Sequence, residues 1–446
     1  MALDREVLRK LVHVAFGFCA LLLRWLSPWQ AAALAAAAFL YNWLVLPHLF
    51  GTRIARSPRG TDLGIVLYPA AVFFLIVLFP GDPGVAAAVW AIMAFGDGGA
   101  TLAGRLIGGP RLPWNRSKSV AGSLTFVLAG SVAAWQVASF VQPDPPYAAG
   151  WISLAVVTAI ACAIAESLDL RLDDNFVVPL VGALLLAALT RISREPEPRL
   201  GGTELLWLGA NGALALGGWL GRSVTLSGAA GGFALGAILI AFAGWELYVV
   251  LVAFFVVGTA VTRLGWQKKE AAGLAQERGG RRGFSHAWSN VGVAAIVSLL
   301  IAAEAGSLRA LWLGAIAALA TATADTTASE IGQLFGRRTF LPLSLRQVPR
   351  GTEGAISLEG TLAGALAGGA VGALGVALAH DRIAVSFGAG TLIVTTAAIL
   401  ASWLESVAGS WNRNRSVPVP NGALNFFNTL AGALIAIALY WGAVAL

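Results

Sequence analysis

The feature that most constrains this chain is a nearly unbroken series of apolar segments, each about 17–25 residues long, the length that crosses a bilayer as a helix. Mean hydropathy is +0.76, and only 12% of residues are charged, against about 25% in average soluble proteins. This composition excludes a soluble enzyme, a disordered chain and a disulfide scaffold. We therefore predict an all-α polytopic membrane protein, with about fifteen transmembrane helices in two consecutive bundles.

The basic residues predict how the chain is oriented. Basic loops mark the cytoplasmic side of membrane proteins. With the N-terminus in the cytoplasm and alternating spans, 24 of the 30 lysines and arginines fall on that side. The net charge of +7 is thus explained by membrane orientation, and we expect a cell (inner) membrane location and no nucleic-acid partner. The charged, proline-containing segment 191–204 predicts a linker between domains at 1–190 and 205–446.

Three short motifs occur twice, in the same order. They are D-x-x-A-[ST]-x-x-G at Asp97–Gly104 and Asp325–Gly332, S-x-x-G-[ST] at Ser119–Ser123 and Ser357–Thr361, and E-S at Glu166–Ser167 and Glu405–Ser406. The glycine of the second motif precedes the glutamate by 44 residues in one half and 45 in the other. The first and second motifs lie ten residues further apart in the second half. We interpret the pattern as a duplication of one site design.

The residue types in these motifs suit phosphate chemistry. Asp97 and Thr101, four residues apart, share a helix face, as do Asp325 and Ser329. Carboxylates at the membrane are costly and usually functional. Carboxylates with hydroxyls can hold Mg²⁺, and glycines beside Lys118 can let backbone N–H groups approach phosphate. No Walker A motif is present.

The first half resembles the CTP-using dolichol and phytol kinase family over about residues 1–190. The matching segments are Arg9-Lys10-x-x-His13, Gly96-Asp97-x-x-Ala100-x-x-x-Gly104-Arg105-x-x-Gly108, Lys118-Ser119-x-x-Gly122-Ser123, and Glu166 with Asp174, Asn175 and Pro179. Ala121 stands where that family usually has glutamate.

The second half resembles the membrane family of plastid phytyl-phosphate kinase over about residues 205–446. The matching segments are Ala324-Asp325-Thr326-x-Ala328-Ser329-Glu330-Ile331-Gly332, Gly351-Thr352-x-Gly354-x-x-Ser357-x-x-Gly360-Thr361, and Glu405-Ser406-x-x-Gly409 followed by Asn421 and Asn425. Glu405 stands where that family commonly has aspartate.

Together the two resemblances imply a fusion of consecutive kinases that converts an isoprenoid alcohol to its monophosphate and then its diphosphate, with Mg²⁺ and CTP or another nucleoside triphosphate. The implied catalytic residues are Asp97, Lys118, Glu166, Asp325, Glu330 and Glu405. The implied nucleotide- or phosphate-binding residues are His13, Thr101, Gly104, Arg105, Ser119, Gly122, Ser123, Ser329, Arg350, Gly351, Thr352, Gly354, Ser357, Gly360, Thr361 and Asn425. The implied metal ligands are Asp97, Glu166, Asp169, Asp174, Asp325 and Glu359.

Two other function classes fit parts of the sequence. A transporter or lipid flippase can also contain internal repeats, but its polar residues are expected near the middle of the membrane, whereas these motifs lie at predicted cytoplasmic span ends. A membrane cytidylyltransferase would use similar CTP- and Mg²⁺-binding groups and release pyrophosphate.

Overall fold

The computed structural model describes residues 5–50, 63–113, 115–145, 150–168, 173–193, 202–274, 277–412 and 419–444. The chain divides into two compact units, Met1–Pro196 and Glu197–Leu446. Each unit has its own apolar core, rich in alanine and branched aliphatic side chains.

The first unit is built from helices alone in its described part. They are α1 (Arg5–Gly17), α2 (Pro28–Leu40), α3 (Leu46–Phe50), α4 (Leu63–Leu78), α5 (Pro83–Ala91), α6 (Asp97–Leu106), α7 (Val120–Val141), α8 (Gly150–Ser167) and α9 (Asp174–Ile192). A π-helical turn, Ile92–Gly96, joins α5 to α6 and ends immediately before Asp97. Single π turns within helices are frequent at functional sites.

The second unit contains ten helices and one two-stranded sheet in its described part. Its helices are α10 (Gly202–Leu220), α11 (Leu226–Phe242), α12 (Trp245–Arg263), α13 (Trp266–Ala271), α14 (Phe284–Ala302), α15 (Leu308–Phe335), α16 (Leu358–Leu378), α17 (His380–Ile383), α18 (Phe387–Asn412) and α19 (Asn421–Val444). The strands β1 (Thr339–Phe340) and β2 (Ile356–Ser357) pair antiparallel between α15 and α16.

The structure confirms the predicted all-α membrane fold. Within the described ranges, eleven helices are long and apolar enough to cross a bilayer. They coincide with eleven of the fifteen predicted spans, and two further predicted spans fall on the shorter apolar helices Gly64–Leu78 and Leu226–Phe242. The remaining two fall on α1 with the following 3-10 turn and on α10, so the total of fifteen and the cytoplasmic N-terminus stay predictions.

Close helix packing brings the motif-bearing ends together. Among the helices of the second unit that are long and apolar enough to span a membrane, α15 is the most enclosed, with 83% of its apolar 18-residue stretch buried. Glycines on α16 face its backbone: a Cβ added to Gly364 would lie 2.6 Å from the carbonyl oxygen of Ala324, and one on Gly368 would lie 2.9 Å from that of Ala320. Small residues allow such close approach between membrane helices. In the first unit α7 packs on the π turn with an ordinary contact, since a Cβ added to Gly130 would lie 3.5 Å from the Cα of Gly96.

Candidate active sites

In each unit the end of one motif-bearing helix packs against the start of the next, α6 against α7 and α15 against α16. We call this contact the helix crossing. Ser119 caps α7 by accepting a hydrogen bond from the Gly122 amide at 3.1 Å. Ser357 caps α16 by accepting one from the Gly360 amide, also at 3.1 Å. A serine at this position satisfies one of the unpaired amides at a helix start. The second motif therefore has the same local structure in both halves.

The glycines of both motifs allow the two helices to meet. A Cβ on Gly104 would lie 3.2 Å from the Ser119 hydroxyl oxygen, and one on Gly332 would lie 3.1 Å from that of Ser357. The glycines of the second motif, in turn, lie against backbone carbonyl groups of the first motif. A Cβ on Gly122 would lie 3.0 Å from the Ala100 carbonyl oxygen, and one on Gly360 would lie 2.5 Å from that of Ala328. These matching contacts support the interpretation of a duplicated design.

The loops that return to the capping serines also match. Seven residues after Gly104, Arg111 forms an antiparallel bridge with Ser119. Seven residues after Gly332, Thr339 pairs antiparallel with Ser357. The bridge partners are 8 positions apart in the first half (119 − 111) and 18 in the second (357 − 339). All ten additional residues of the second half therefore lie between Thr339 and Ser357, in the loop that this pairing closes.

Three carboxylates from three helices converge in the first unit. Asp97 begins α6, Glu166 lies in the last turn of α8, and Asp174 begins α9. One oxygen from each lies within 4.8 Å of the others. The Lys118 ammonium group donates hydrogen bonds to Glu166 and, at 3.2 Å, to Asp174. Burial favours a lower pKa for Lys118, but the charges of Glu166 and Asp174 outweigh it and raise this pKa above its usual value.

A second lysine completes the first site. Lys10, on α1, donates a hydrogen bond to Asp97, and both side chains are more than nine-tenths buried. His13, one turn further along α1, places Nε2 3.6 Å from Asp97 and 3.1 Å from the Met93 carbonyl oxygen. The imidazole edge packs on Tyr68 with the ring centroids 4.5 Å apart. The site thus contains three carboxylates, two ammonium groups and one imidazole.

The carboxylates of the first site fit a hard divalent cation. Mg²⁺ binds oxygen ligands at about 2.1 Å in an octahedron, so opposite ligands lie about 4.2 Å apart. The 4.8 Å spread of Asp97, Glu166 and Asp174 is close to that span. Asp97 and Glu166 are 2% and 5% exposed, and buried carboxylates need positive charge nearby. The predicted ligand Asp169 lies outside the described residues.

The second unit brings Asp325 and Glu405 near each other, as the duplication predicts. Asp325 lies on α15 and Glu405 on α18, and these two helices pack against each other. A third carboxylate, Glu353, comes from the long loop between the strands and lies beside α18, where a Cβ added to Gly409 would be 3.7 Å from its Cγ. The buried amide of Asn412 donates a hydrogen bond of 3.0 Å to Glu353. Among the described residues, no lysine, arginine or histidine forms an ion pair with these three carboxylates.

Glu330, assigned to catalysis from the sequence, lies in a different environment. Five residues beyond Asp325, it is rotated by about 140° around α15. It accepts a hydrogen bond of 2.5 Å from Lys269, and both side chains are almost fully buried. Lys269 also donates to the Thr262 carbonyl oxygen at 2.7 Å. Nearby, burial lowers the pKa of Arg282 to about 10, an effect that Glu330 opposes. This network stabilises the helix ends beside the second site.

The other sequence-predicted residues occupy the rims of the two crossings. Thr101 and Ser123 are half-buried and Arg105 is exposed, all near the first site. In the second unit, Ser329, Arg350, Gly351 and Thr361 are exposed, and Glu359 accepts a hydrogen bond from the Arg337 amide at 3.2 Å. Thr352 donates to the Pro349 carbonyl oxygen at 2.7 Å, and Asn425 is half-buried on α19.

Sequence reasoning missed Lys10 and Glu353 as site residues. Lys10 carried a signal, because lysine is rare here (four of the 30 basic residues) and it belongs to the motif that contains His13. Glu353 lies within the Gly351–Gly354 motif, which the sequence indicated as a phosphate-binding loop. Its approach to α18 depends on how that loop folds and could not be read from spacing.

These features define an integral membrane protein with a buried carboxylate cluster in its first unit. The model of the family Integral membrane protein DUF92 matches residues 209–433, and the chain belongs to this family. A membrane protein of Synechocystis sp. is 45% identical over 207 residues, which cover 46% of this chain and 78% of that protein.

The chain is also related to membrane lipid kinases. Probable phytol kinase 2, chloroplastic, of Oryza sativa is 30% identical over 41% of this chain and 66% of that protein. CTP-dependent diacylglycerol kinase 1 of Schizosaccharomyces pombe is 26% identical over 41% of this chain and 92% of that protein. No solved structure matches the chain.

Proposed function

We propose that this chain is a bifunctional membrane kinase made by fusion of two related halves. The first half phosphorylates an isoprenoid alcohol of the phytol, geranylgeraniol or farnesol type. The second half phosphorylates the resulting monophosphate to the diphosphate. CTP or another nucleoside triphosphate is the donor, Mg²⁺ assists both steps, and both sites face the cytoplasm from the inner membrane.

The observation that carries this proposal is the repeated helix crossing, with acidic residues of the repeated motifs in both units. Asp97, Glu166 and Asp174 form a cluster beside the first crossing, and Asp325 and Glu405 lie on the adjoining helices α15 and α18 of the second unit. Phosphoryl transfer is catalysed mainly by positioning and charge neutralisation, which such clusters provide when they hold a metal ion. The relationship to a phytol kinase and a CTP-dependent lipid kinase supports the choice of acceptor and donor.

In the first step the alcohol oxygen forms a bond to the γ-phosphorus, and the bond from that phosphorus to the bridging oxygen breaks, releasing the nucleoside diphosphate. We assign Asp97 to accept the hydroxyl proton. Mg²⁺, held by Asp97, Glu166 and Asp174, would neutralise phosphate charge. Lys10 keeps Asp97 ionised and oriented. Lys118, 27% exposed, can contact donor phosphates from the rim of the site.

The second step differs in its acceptor. A phosphate monoester has its second pKa near 6, so near pH 7 its attacking oxygen is mostly ionised already. Donor and acceptor then both carry negative charge, and the site must neutralise their repulsion. Asp325 and Glu405, which the repeated motifs assign to this site, would hold the Mg²⁺ that does so. Exposed Arg350, in the same loop as Glu353, can contribute further positive charge.

The test is product analysis with labelled CTP and purified protein in detergent, using phytol, farnesol and their monophosphates as acceptors. Label from the γ-position in the lipid product, first as monophosphate and then as diphosphate, is the expected result. Label from the α-position would instead indicate a cytidylyltransferase. No label in any lipid, together with movement of prenyl phosphate across vesicles, would indicate a transporter and would refute the proposal.

A further inference from the structure

Three basic side chains are buried in the part of the chain that the structure describes, and one of them has no anionic partner there. Lys10 pairs with Asp97, and Lys269 pairs with Glu330. Arg282, which is 7% exposed, forms no ion pair with a described carboxylate. Buried charges in proteins are normally paired, because an ion loses its hydration when it leaves water. An unpaired, buried guanidinium therefore points to a role for its charge.

The main chain of Arg282 anchors the segment before α14. Its amide donates to the Ser223 carbonyl oxygen at 3.1 Å, and its carbonyl oxygen accepts from the Thr225 amide at 3.0 Å. A Cβ added to Gly228 would lie 2.1 Å from the same carbonyl oxygen, so α11 packs tightly on this segment. None of these contacts uses the side chain. The segment therefore stays anchored whatever side chain position 282 carries.

The guanidinium of Arg282 lies against α12, inside the end of that helix. A Cβ on Gly258 would lie 2.8 Å from both terminal nitrogens of the guanidinium, so the glycine makes room for it. Gly258 precedes the last residue of α12, Arg263, by five positions, or about 7.5 Å along the helix. The central carbon of the guanidinium is 5.8 Å from the ring centroid of Phe254, one turn deeper. The charge thus lies among apolar groups, away from the exposed helix end.

Most N–H donors of this guanidinium have no partner among the described residues. Of its five donors, one reaches the Thr262 hydroxyl at 3.3 Å. Lys269 donates to the carbonyl oxygen of the same threonine at 2.7 Å and also to Glu330. Two cations and one carboxylate therefore surround Thr262, with one net positive charge. The planar fork of a guanidinium matches two oxygens of a phosphate, which makes a phosphate the anion that this arrangement suits best.

A second buried polar atom in the same segment also lacks a partner. His286 follows Arg282 by four residues and lies in the first turn of α14. Its Nε2 is buried and forms no hydrogen bond within the described ranges. Native structures leave few buried polar atoms unpaired. Two such groups within five residues favour a binding role for this segment over a packing role alone.

The surroundings of the guanidinium indicate which kind of phosphate it receives. A phosphate that reaches the level of Gly258 brings the group attached to it against Phe254 and the apolar length of α12. A nucleotide would bring a polar ribose and base to this position. A lipid monophosphate would bring a hydrocarbon chain, whose burial there is favourable.

We propose that Arg282 binds the phosphate group of the prenyl monophosphate that the second half accepts, through a direct contact that needs no metal ion. This inference rests on the proposed function and names the residue that recognises the second acceptor. The first half, whose acceptor is a neutral alcohol, has one buried basic side chain among its described residues, Lys10, and that side chain is paired. The difference between the halves thus matches the difference between their acceptors.

The test measures binding of farnesyl monophosphate to purified full-length protein in detergent, with EDTA and without nucleotide, so that neither turnover nor a metal bridge contributes. The dissociation constant is obtained from the rise in melting temperature with ligand concentration. Farnesyl monophosphate should stabilise the wild-type protein, and farnesol should not. Arg282→Met should weaken this binding about tenfold or more, because it removes charge-assisted hydrogen bonds. Wild-type affinity in folded Arg282→Met protein would overturn the inference.

Matched variants separate a binding role from a structural one. Gly258→Ala keeps every charge but displaces the guanidinium, whose flexible side chain can move, so this protein should fold and bind more weakly. Arg263→Gln removes an exposed arginine at the end of the same helix, which contacts Gly221 and Ser223, and should bind normally. Without ligand, Arg282→Met should melt at or above the wild-type temperature, because it removes an unpaired buried charge. If Arg282→Met does not fold, wild-type affinity in Gly258→Ala would overturn the inference.

Competition identifies the source of the phosphate. Phosphatidylglycerol and CTP are each added, still in EDTA, to the complex with farnesyl monophosphate. Neither should displace it at equal concentration. If phosphatidylglycerol competes equally, and native mass spectrometry finds phospholipid on the wild-type protein but not on Arg282→Met, the site holds a membrane lipid and the inference fails. Equal competition by CTP would assign Arg282 to the donor and would also refute it.

Product analysis distinguishes failure of this inference from failure of the proposed function. A raised KM for farnesyl monophosphate in Arg282→Met, with alcohol phosphorylation unchanged, supports both. If farnesyl monophosphate binds through Arg282 but the wild-type protein forms no diphosphate, the binding site stands and the kinase assignment fails. If the wild-type protein forms diphosphate and Arg282→Met does so with an unchanged KM, the proposed function stands and the inference fails.

Discussion

Gly360→Ala tests whether the close contact between α15 and α16 builds the second site. A Cβ there would lie 2.5 Å from the Ala328 carbonyl oxygen, whereas ordinary contacts begin at 3.4 Å. The helices must therefore separate by about 0.9 Å (3.4 − 2.5) at this point. Overpacking of this kind costs about 1–3 kcal/mol. Misplacement of catalytic groups by about 1 Å can reduce a rate about 10²-fold.

We expect Gly360→Ala protein to form diphosphate from monophosphate about 10²-fold more slowly, with alcohol phosphorylation unchanged. The matched substitution Gly122→Ala requires a shift of only about 0.4 Å (3.4 − 3.0), so its effect on alcohol phosphorylation should be clearly smaller. Gly209→Ala is the control, since no atom lies within 4 Å of its added Cβ and alanine favours a helix over glycine by about 1 kcal/mol. Both steps are followed by thin-layer or mass analysis of lipid products. An undiminished diphosphate rate in folded Gly360→Ala protein would refute the reasoning.

Three further predictions concern the division of labour, the charge of Lys118 and the sidedness of the sites. Asp97→Asn should slow alcohol phosphorylation by about 10²–10⁴-fold and spare monophosphate phosphorylation. Asp325→Ala should slow monophosphate phosphorylation by a similar factor, so that monophosphate accumulates. Loss of both steps in either folded variant, seen by product analysis, would indicate one composite site. Because the pKa of Lys118 is raised, its ion pairs stabilise the fold fully below the ordinary lysine value of 10.5 and are lost only as the pH rises through the higher value. The drop in melting temperature caused by Lys118→Met should therefore be the same at pH 7 and pH 9, and a drop that shrinks by pH 9 would contradict the shift. Cysteines placed at exposed Arg116 and Gln347, in a background without native cysteines, should be labelled only from the cytoplasmic side, and labelling in intact cells by an impermeant reagent would contradict the orientation.

The helical membrane fold and much of the first site could be predicted from the sequence because both depend on local patterns. Apolar segments of spanning length give a bilayer helix whatever its neighbours are. Glu166 and Asp174 lie at helix ends, and helices that end at the same membrane surface bring such residues to a common level, whereas Asp97 lies within the continuous helix Pro83–Leu106. The S-x-x-G motif also determines its own local structure, since the serine caps the helix whose first turn contains the glycine.

Contacts that depend on how helices rotate and how long loops fold could not be predicted in this way. Glu330 is an example, since its distance from Asp325 along the chain suggested one site. Five residues along a helix turn a side chain by about 140°, so Glu330 meets Lys269 instead. Lys10 and Asp97 are 87 residues apart, and their ion pair depends on α1 packing against α6. No local pattern contains that information.

Under the proposed function, the second half must act on an acceptor that already carries negative charge. A copy that kept Lys118 and Lys10 would suit a neutral alcohol, because its protein cations already balance most of the carboxylate charge. A phosphorylated acceptor adds about two negative charges. Divalent cations bring more charge per ligand than a lysine does, so a cluster without ammonium partners has more to gain from them. Where the first half has Lys118 before its capping serine, the second half has Ile356, while the helix crossing stays the same. Under the proposed function, one helix crossing would thus serve two consecutive phosphoryl transfers with different charged side chains around it.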